Sequence, residues 1–360
     1  MRRLGILTGG GDCPGLNAVV RAVVKTATRT HGFECLGFED GYEGLVERRW
    51  RPLDFDSVSG ILQQGGTILG TSNQCDPRSC RAAPGAEPED RSAEVLALCR
   101  ELQLDTLVCI GGDGTLSIAW HLQRLGIPVV AIPKTIDNDL HGTDLTFGHD
   151  TAVAIAAEAI DRLRTTAQAH HRAMVIELMG RNAGWLTLRA ALASGGDVVL
   201  IPELPFEVEA LQAEVNRRHA ARRRFSLIVV AEGTRPQGGH AVVKQMVPES
   251  PDPLRLGGIG DAVASHIRRA CRVPVRVTVL GHVQRGGSPT AFDRVLATEF
   301  GVRAAGLAHA GRSGVMVAYR DGLIAEVDLE TAARGQRLVP PDHPLVAAAR
   351  CLGMSFADGR

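Results

Sequence analysis

The stretch IPKTIDNDL, at positions 132–140, places a lysine, two aspartates and an asparagine in six consecutive positions directly after an apolar run. Asp and Asn favour turns, so the stretch also fits an ordinary strand exit. If the segment is extended, Asp137 and Asp139 face the same side. Paired carboxylates near Mg²⁺ and a hydroxyl suit phosphoryl transfer, because one can accept the hydroxyl proton while the other holds metal or water.

A second candidate is CIGGDGTLSIAW, at 109–120, where Asp113 lies between glycines at another strand exit. A carboxylate there can hold Mg²⁺ while neighbouring amides meet phosphate oxygens. Asp is also a favoured N-cap residue, and this structural interpretation stays open. The pattern GGDGT, shared by several kinase families, indicates nucleotide phosphate and metal without naming a substrate. The interpretation as a phosphate and metal site is supported further if Asp113 and Asp137 follow adjacent strands of one sheet.

The stretch LTGGGDCPGLNAVV, at 7–20, is typical of a strand, a glycine turn and a helix with Pro14 near its first turn. Amides at a helix start can hold phosphate, and Gly10 and Gly11 let a ligand approach the backbone. The stretch matches neither GxxxxGK[ST] nor GxGxxG. Glycines in such a turn are structural at least as often, so the stretch alone is weak evidence for binding.

Cations follow similar strand exits further along the chain. Arg172 precedes and Arg181 follows the run MVIEL, and VRVTVLGHVQR supplies Arg276, His282 and Arg285. Arg binds phosphate dianions in bidentate fashion, and His can donate to an oxygen, so these residues suit a sugar phosphate. No His or Cys spacing typical of a transition-metal site is present.

Short β-branched runs alternate with helical patterns along the chain. This alternation of nearly continuous apolar strands and helices predicts an α/β fold with parallel sheets covered on both faces. Ligands of such sheets gather at the carboxyl ends of the strands. The expected strands are 4–8, 106–110, 128–132, 174–178, 197–202, 226–233 and 275–282, and the expected helices include 17–30, 116–125 and 153–164. The segments 75–92 and 234–258, rich in Pro, Gly and charge, are expected to be surface insertions without folded structure.

Composition narrows the class of protein. A length of 360 residues favours about two domains. Forty basic and forty acidic residues balance, which argues against nucleic acid or an anionic membrane as a partner. Eight scattered cysteines without CxxC pairs indicate free thiols in a reducing compartment. Because no run approaches the length of a membrane span, the sequence predicts a soluble, cytoplasmic protein.

Four stretches, in order, closely resemble the phosphofructokinase family: GGDGT, PKTIDND, HRAMVIELMGR and RVTVLGHVQRGGSPTAFDR. The resemblance runs from Leu4 to about Phe300 and excludes the NAD and lipid kinases, which share only GGDGT. It implies two Rossmann-like three-layer domains with parallel-rich sheets and the active site in the interdomain cleft. The implied domains are 1–148 plus 284–333 for ATP and Mg²⁺, and 149–283 plus 334–360 for fructose 6-phosphate.

The resemblance also implies residue roles in Mg²⁺-dependent phosphoryl transfer from ATP to the 1-hydroxyl of fructose 6-phosphate. Asp137 is the expected base, Asp139 supports it and the magnesium, Asp113 coordinates Mg²⁺, and Arg181 stabilises the phosphoryl group in transit, with Thr135 nearby. The expected donor site comprises Gly10, Gly11, Tyr42, Gly112, Asp113, Gly114, Thr115 and Lys134. The expected sugar site comprises Thr135, Asp137, Arg172, Met179, Gly180, Arg181, Glu232, Arg276, His282 and Arg285. Because Arg172 and Arg276 usually reach a neighbouring subunit's site in this family, a homodimer or homotetramer is implied.

Three departures from the family pattern bear on the donor and on regulation. Asn73 stands where members usually carry an arginine that grips the donor phosphates, and Lys134 is typical of pyrophosphate-dependent members. Gly114, however, replaces the aspartate with which pyrophosphate users exclude ATP, so ATP is the expected donor and pyrophosphate the alternative. The bacterial effector site is only partly matched, since Phe55 replaces an expected arginine; Arg21, Lys25, Arg164 and Arg223 are present.

A rival interpretation is a catalytically silent regulatory subunit that binds sugar phosphate. Loss of Asp113, Asp137 or Arg181 would favour it, and all three are present. Asn73 is the one feature that supports it. An active kinase is therefore the expectation from the sequence.

Overall fold

A computed structural model describes residues 2–81, 86–247 and 253–360. They form two larger sheets, each with helices on both faces, and a small two-stranded hairpin. The strands are β1 Arg3–Thr8, β2 Glu34–Phe38, β3 Trp50–Leu53, β4 Thr106–Gly111, β5 Val129–Pro133, β6 Ala173–Leu178, β7 Val198–Leu200, β8 Ser226–Ala231, β9 Val243–Met246, β10 Leu254–Leu256, β11 Val275–Val279, β12 Val315–Arg320 and β13 Leu323–Asp328. The helices are α1 Leu16–His31, α2 Tyr42–Val46, α3 Ser92–Glu101, α4 Asp113–Arg124, α5 His149–His170, α6 Trp185–Ser194, α7 Val208–Ala220, α8 Ile259–Ala270, α9 Ala291–His309, α10 Leu329–Ala333 and α11 Pro344–Cys351, with a 3-10 helix at Gly281–Arg285.

The first sheet has the strand order β13-β12-β5-β4-β1-β2-β3. Its centre is parallel, and the edge strands β3 and β13 run antiparallel to their neighbours. Side chains alternate along β4: Val108 and Ile110 join the core with α1 and α9, while Leu107 and Cys109 join the core with α3 and α4. Two buried faces explain why this strand reads as a continuous apolar run.

The second sheet is parallel throughout, in the order β11-β6-β8-β7. Met174 and Ile176 on β6 pack with α5, α6 and α11, whereas Ala173 and Val175 pack with α7 and α8. Each sheet is thus the middle of three layers, and the predicted fold class is confirmed.

The chain crosses between the two sheets several times. It builds most of the first sheet, then the second, and returns through α9 to add β12 and β13 before ending beside α6. The sheets fit the expected division of the chain, but the boundaries 1–148, 284–333, 149–283 and 334–360 stay a prediction.

All eight cysteines are free. No helix in the described parts of the chain is long and apolar enough to cross a bilayer.

Two sequence expectations about local structure are wrong. Residues 234–258 are not an unstructured insertion, because β9 and β10 pair as an antiparallel hairpin; 248–252 lie outside the described residues, as do 82–85 of the other expected insertion. The strand expected at 275–282 ends at Val279, and a 3-10 helix follows. Gly281, with φ 50°, begins this turn, where glycine adopts the left-handed conformation at little steric cost.

Candidate active site

A polar cleft of about 620 Å³ opens at the carboxyl ends of β1, β4 and β5, facing the end of β6. Thirteen of the residues expected from the sequence line it: Gly10, Gly11, Tyr42, Gly112, Asp113, Gly114, Thr115, Lys134, Thr135, Asp137, Asp139, Arg181 and Arg285. Because β1, β4 and β5 are parallel neighbours, the loops that follow them meet at one edge. Asp113 and Asp137 therefore follow adjacent strands, as required for a joint role.

Two cations approach the glycine turn after β1. The buried Lys134 ammonium donates a hydrogen bond to the carbonyl oxygen of Gly11, and Arg285 Nη1 donates to that of Asp12 at 3.0 Å. Burial lowers the pKa of Lys134, because the charged form loses solvation. The two side chains place positive charge beside amides that can meet a phosphate.

Asp113 is the first residue of α4, and the preceding Gly112 is its N-cap residue. Its Oδ1 accepts from the Gly114 amide at 2.7 Å, and its Oδ2 accepts from Gln336 Nε2 at 3.0 Å. The carboxylate is exposed to the cleft, so it retains lone pairs for a further ligand. Behind it, the buried Tyr42 hydroxyl donates to the carbonyl oxygen of Thr115 at 2.8 Å, which fixes the first turn of α4.

The loop after β5 turns sharply, so Asp137 and Asp139 do not lie in line along an extended segment. Asn138 has φ 53°, a left-handed conformation that Asn tolerates better than most residues. Its side chain donates to the carbonyl oxygen of Asp144 at 3.1 Å, which holds the turn. Asp137 and Asp139 both still line the cleft.

Thr135 organises the two carboxylates of this loop. Its hydroxyl accepts from the Asp137 amide at 3.0 Å and donates to Asp139 Oδ1 at 3.2 Å. Asp137 Oδ1 is buried and has no hydrogen-bond partner among the described residues. Burial raises the pKa of Asp137 to about 6, and burial together with the charge of Asp137 raises the pKa of Asp139. Asp137 thus lines the cleft with a carboxylate of enhanced basicity, one oxygen of which has no partner among the described residues.

Met179, Gly180 and Glu232, which belong to the expected sugar site, lie where β6 and β8 end side by side. The Glu232 amide donates to Leu178 O at 2.9 Å, and the Gly233 amide donates to Gly180 O at 3.1 Å. Burial, followed by the charge of Glu177, raises the pKa of Glu232 to about 7. Met179 N donates to the buried Gln284 Oε1 at 2.9 Å, which ties this edge to the 3-10 helix.

Gly233 is required at this junction, because a Cβ there would lie 1.8 Å from Arg181 O. We expect Gly233→Ala to destabilise the fold by about 3 kcal/mol, since two backbone segments must separate. Gly306→Ala is the matched control: its Cβ would meet nothing within 4 Å, and alanine favours the helix. Denaturant unfolding of both variants measures the difference, and equal stability would contradict the close approach.

Arg172, Arg276 and His282 are not brought to the cleft of their own chain. Arg172 precedes β6, and Arg276 pairs with Met174 near the amino ends of the strands. The six residues of β6 put about 20 Å between Arg172 and Met179 at the opposite end. His282 and Arg276 are exposed on the side of the edge strand β11 and the 3-10 helix.

The partly matched effector residues make contacts of their own. The Lys25 ammonium lies 3.6 Å from the centroid of the Phe55 ring, a cation–π contact. Arg164 donates to the carbonyl oxygens of Ser194 and Gly195. The aromatic ring at position 55 therefore covers one of the cations that an anionic effector would need.

Several lining residues were not anticipated from the sequence: Ser72, Cys75, Asp76, Arg78, Ser117, Ile118, Asn182 and Gln336. Ser117 and Ile118 lie one helical turn beyond Gly114, so their spacing could have revealed them. Asp76 and Arg78 form an ion pair at 2.6 Å within a segment taken for a surface insertion. No sequence signal points to Gln336, because only the return of the chain after α10 brings it here.

Residues 3–308 match the family model described as Phosphofructokinase. The chain is 44% identical to "ATP-dependent 6-phosphofructokinase 2" of Clostridium perfringens, over 99% of each protein. It is 48% identical to "Pyrophosphate--fructose 6-phosphate 1-phosphotransferase" of Amycolatopsis methanolica, covering 95% of this chain and 97% of that protein. The solved phosphofructokinase of Saccharomyces cerevisiae is similar with a TM-score of 0.76 and 29% identity, over 93% of this chain but 45% of the yeast chain. The chain belongs to the phosphofructokinase family.

Proposed function

We propose that the protein transfers the terminal phosphoryl group of ATP to the 1-hydroxyl of fructose 6-phosphate, assisted by Mg²⁺. The observation that carries this proposal is Asp137, whose buried Oδ1 has no partner among the described residues, in a cleft between the glycine turn and Arg181 after β6. A hydroxyl placed there meets a base on one side and the donor phosphates on the other. In-line transfer needs little more than this positioning and charge stabilisation.

Asp137 accepts the hydroxyl proton in this mechanism. Burial raises the pKa of Asp137, so its carboxylate is more basic than that of an exposed aspartate. Thr135 orients the loop through its bonds to the Asp137 amide and to Asp139. Lys134, Arg181 and Arg285 line the same cleft and balance the negative charge that moves between donor and acceptor.

The donor set of the cleft fits Mg²⁺. Asp113, Asp137 and Asp139 supply hard carboxylate oxygens, and Asp113 Oδ1 and Oδ2 each keep a free lone pair. No three His, Cys, Asp or Glu side chains within the described ranges cluster tightly enough to enclose a metal. Mg²⁺ is usually held by one or two carboxylates together with substrate phosphates, which matches this arrangement. When bound by Asp113, the ion would neutralise charge on the donor phosphates.

The donor side of the cleft supports ATP over pyrophosphate. A Cβ built at Gly114 would meet nothing within 4 Å, so no side chain blocks the path of a longer donor. Ser117 and Ile118, one helical turn beyond Gly114, also line the cleft, and so does Cys75. A pyrophosphate would leave this part of the cleft unfilled, whereas a nucleoside can occupy it.

A pyrophosphate-dependent reaction is the second candidate, favoured by the residue at position 73 and by one relative. Lys134 at the glycine turn does not separate the two candidates, because its charge attracts the terminal phosphate of either donor. Asn73 lines the cleft without the charge that a nucleotide-binding arginine would add. The relative from Amycolatopsis methanolica carries a pyrophosphate-dependent name. Initial rates with fructose 6-phosphate and Mg²⁺, measured against ATP and against pyrophosphate at matched concentrations, distinguish the two candidates.

The protein is further proposed to act in the cytoplasm as a homo-oligomer with shared sites. Arg172 and Arg276 lie about 20 Å from the sugar-binding ends of β6 and β8 in their own chain. Apolar side chains beside this edge are largely exposed, with Val279 at 55% and Val283 at 66%. A second copy that covers this surface would bury them and supply both arginines to its neighbour's site.

Shared sites predict complementation between inactive chains. Hybrids of an Asp137→Asn chain with an Arg276→Ala chain should recover partial activity, because one site then contains both an intact base and a neighbour's intact arginine. Mixing Asp137→Asn with Arg285→Ala is the control. Arg285 lines the same chain's cleft as Asp137, so no intact site can form. Activity is assayed after the hetero-oligomers are verified by mass, and equal recovery in both mixtures would exclude the proposed sharing.

A further inference from the structure

Gln336, a neutral side chain outside the sequence motifs, touches the carboxylate of Asp113. It follows α10 and belongs to the strap, defined here as residues 336–339, that returns from the first sheet toward the second. Its Nε2 donates to Asp113 Oδ2 at 3.0 Å, opposite the Gly114 amide that serves Oδ1. The Gln336 side-chain amide stabilises one orientation of the Asp113 carboxylate, because each of the two carboxylate oxygens then accepts from its own donor.

The strap also holds the backbone of the loop after β5, which carries Asp137 and Asp139. Gln336 forms an antiparallel bridge with Leu140, and the Arg337 amide donates to Asp139 O at 2.7 Å. Arg337 Nη1 donates to the carbonyl oxygens of Asn138 and Asp144 at 3.2 and 3.1 Å. One short segment therefore fixes both the loop that carries the base and the orientation of Asp113.

The strap is itself anchored on the other side of the cleft. Trp185 Nε1 donates to Arg337 O at 2.8 Å, and the Arg337 guanidinium lies 4.4 Å from the Trp185 ring centroid. The Val339 amide donates to Glu203 Oε1 at 2.8 Å, and Glu203 also accepts from the Gly184 amide. These contacts make the strap a rigid support for the Gln336 side chain.

We propose that Gln336 is a positioning residue for the metal, which orients the Asp113 carboxylate toward the ion without contacting the ion or the substrates. The inference rests on the proposed function, since it takes Asp113 as the magnesium ligand. Groups that hydrogen-bond to metal ligands fix ligand geometry, and their loss typically lowers metal affinity or activity by about 10- to 100-fold. Gln336→Met keeps the length of the side chain and removes its amide group, including the donor to Asp113.

The test is Mn²⁺ binding to the full-length protein with ADP present, followed by electron paramagnetic resonance. Gln336→Met should raise the Kd for Mn²⁺ by about 10-fold or more. Binding of fructose 6-phosphate and the thermal unfolding midpoint should not change. Leu338→Ala is the control on the same strap, because Leu338 is 47% exposed and its loss leaves both anchors intact. It should leave Mn²⁺ affinity unchanged.

An unchanged Mn²⁺ affinity in Gln336→Met overturns the positioning role. An equal loss of Mn²⁺ binding and of fructose 6-phosphate binding also overturns it, because such a loss indicates general damage to the cleft. Asp113→Asn separates this failure from that of the proposed function. If Asp113→Asn weakens Mn²⁺ binding while Gln336→Met does not, the metal ligand stands and the role of Gln336 falls. If neither variant changes Mn²⁺ affinity, the metal assignment itself is wrong, and the positioning role falls with it.

Discussion

Replacing Asp137 with asparagine should lower turnover by about 10²- to 10⁴-fold while the affinity for fructose 6-phosphate changes little. Asparagine keeps the shape of the side chain and the backbone bond to Thr135, but its amide cannot accept the proton of the sugar hydroxyl. The side chain of Asp137 lines the cleft, and its buried Oδ1 has no partner among the described residues. Steady-state kinetics with saturating donor separate turnover from sugar affinity.

Asp161→Asn is the matched control for this substitution. Asp161 is exposed on α5 and is not among the residues that line the cleft, so the same chemical change there should leave turnover intact. Retention of most of the turnover in Asp137→Asn would remove Asp137 as the base. The proposed placement of the sugar hydroxyl would then fail as well.

The wild-type protein should prefer ATP over pyrophosphate by at least about 100-fold in kcat/KM, equivalent to some 2.7 kcal/mol. Gly114→Asp should cut ATP use sharply, because the new carboxylate would occupy open space and repel the nucleotide phosphates. Lys134 attracts either donor and excludes neither, so the open position at 114 should dominate. The measurement is kcat/KM for both donors in wild type and variant, together with binding of fructose 6-phosphate.

Gly114→Ala controls for volume without charge. Its Cβ would meet nothing within 4 Å, and the residue lies within α4, so ATP use should be nearly unchanged. If Gly114→Ala impairs ATP use as strongly as Gly114→Asp, space rather than charge governs the donor. Faster reaction of the wild type with pyrophosphate than with ATP would refute the proposed donor outright.

Much of the fold and of the cleft was predictable because both depend on local patterns. Val108, Ile110 and their neighbours are buried on both faces of a parallel sheet, so the strand shows as an unbroken apolar run. Parallel neighbours end at the same edge of a sheet, so the loops after β4 and β5 meet there. This brings Asp113 and Asp137 together.

Other parts depend on long-range contacts or on backbone conformation, which no local pattern encodes. The left-handed Asn138 bends the loop after β5, and its bond to Asp144 O is visible only in three dimensions. Gln336 reaches Asp113 across 223 positions of sequence. The β9–β10 hairpin was missed because its strands, four and three residues long and mostly exposed, lack the apolar alternation that marks a buried strand.

The late return of the chain to the first sheet has a consequence for biosynthesis. Strand β5, buried along its whole length, pairs on one side with β4 and on the other with β12, which begins at Val315. On the ribosome, β5 and the loop that follows it, which carries Asp137, are translated long before β12 emerges. A nascent chain that ends before Val315 therefore exposes an apolar parallel edge, the kind of surface that aggregates or recruits chaperones. Folding of the first sheet must be completed after most of the polypeptide has been made, and truncated translation products should be insoluble rather than partly active.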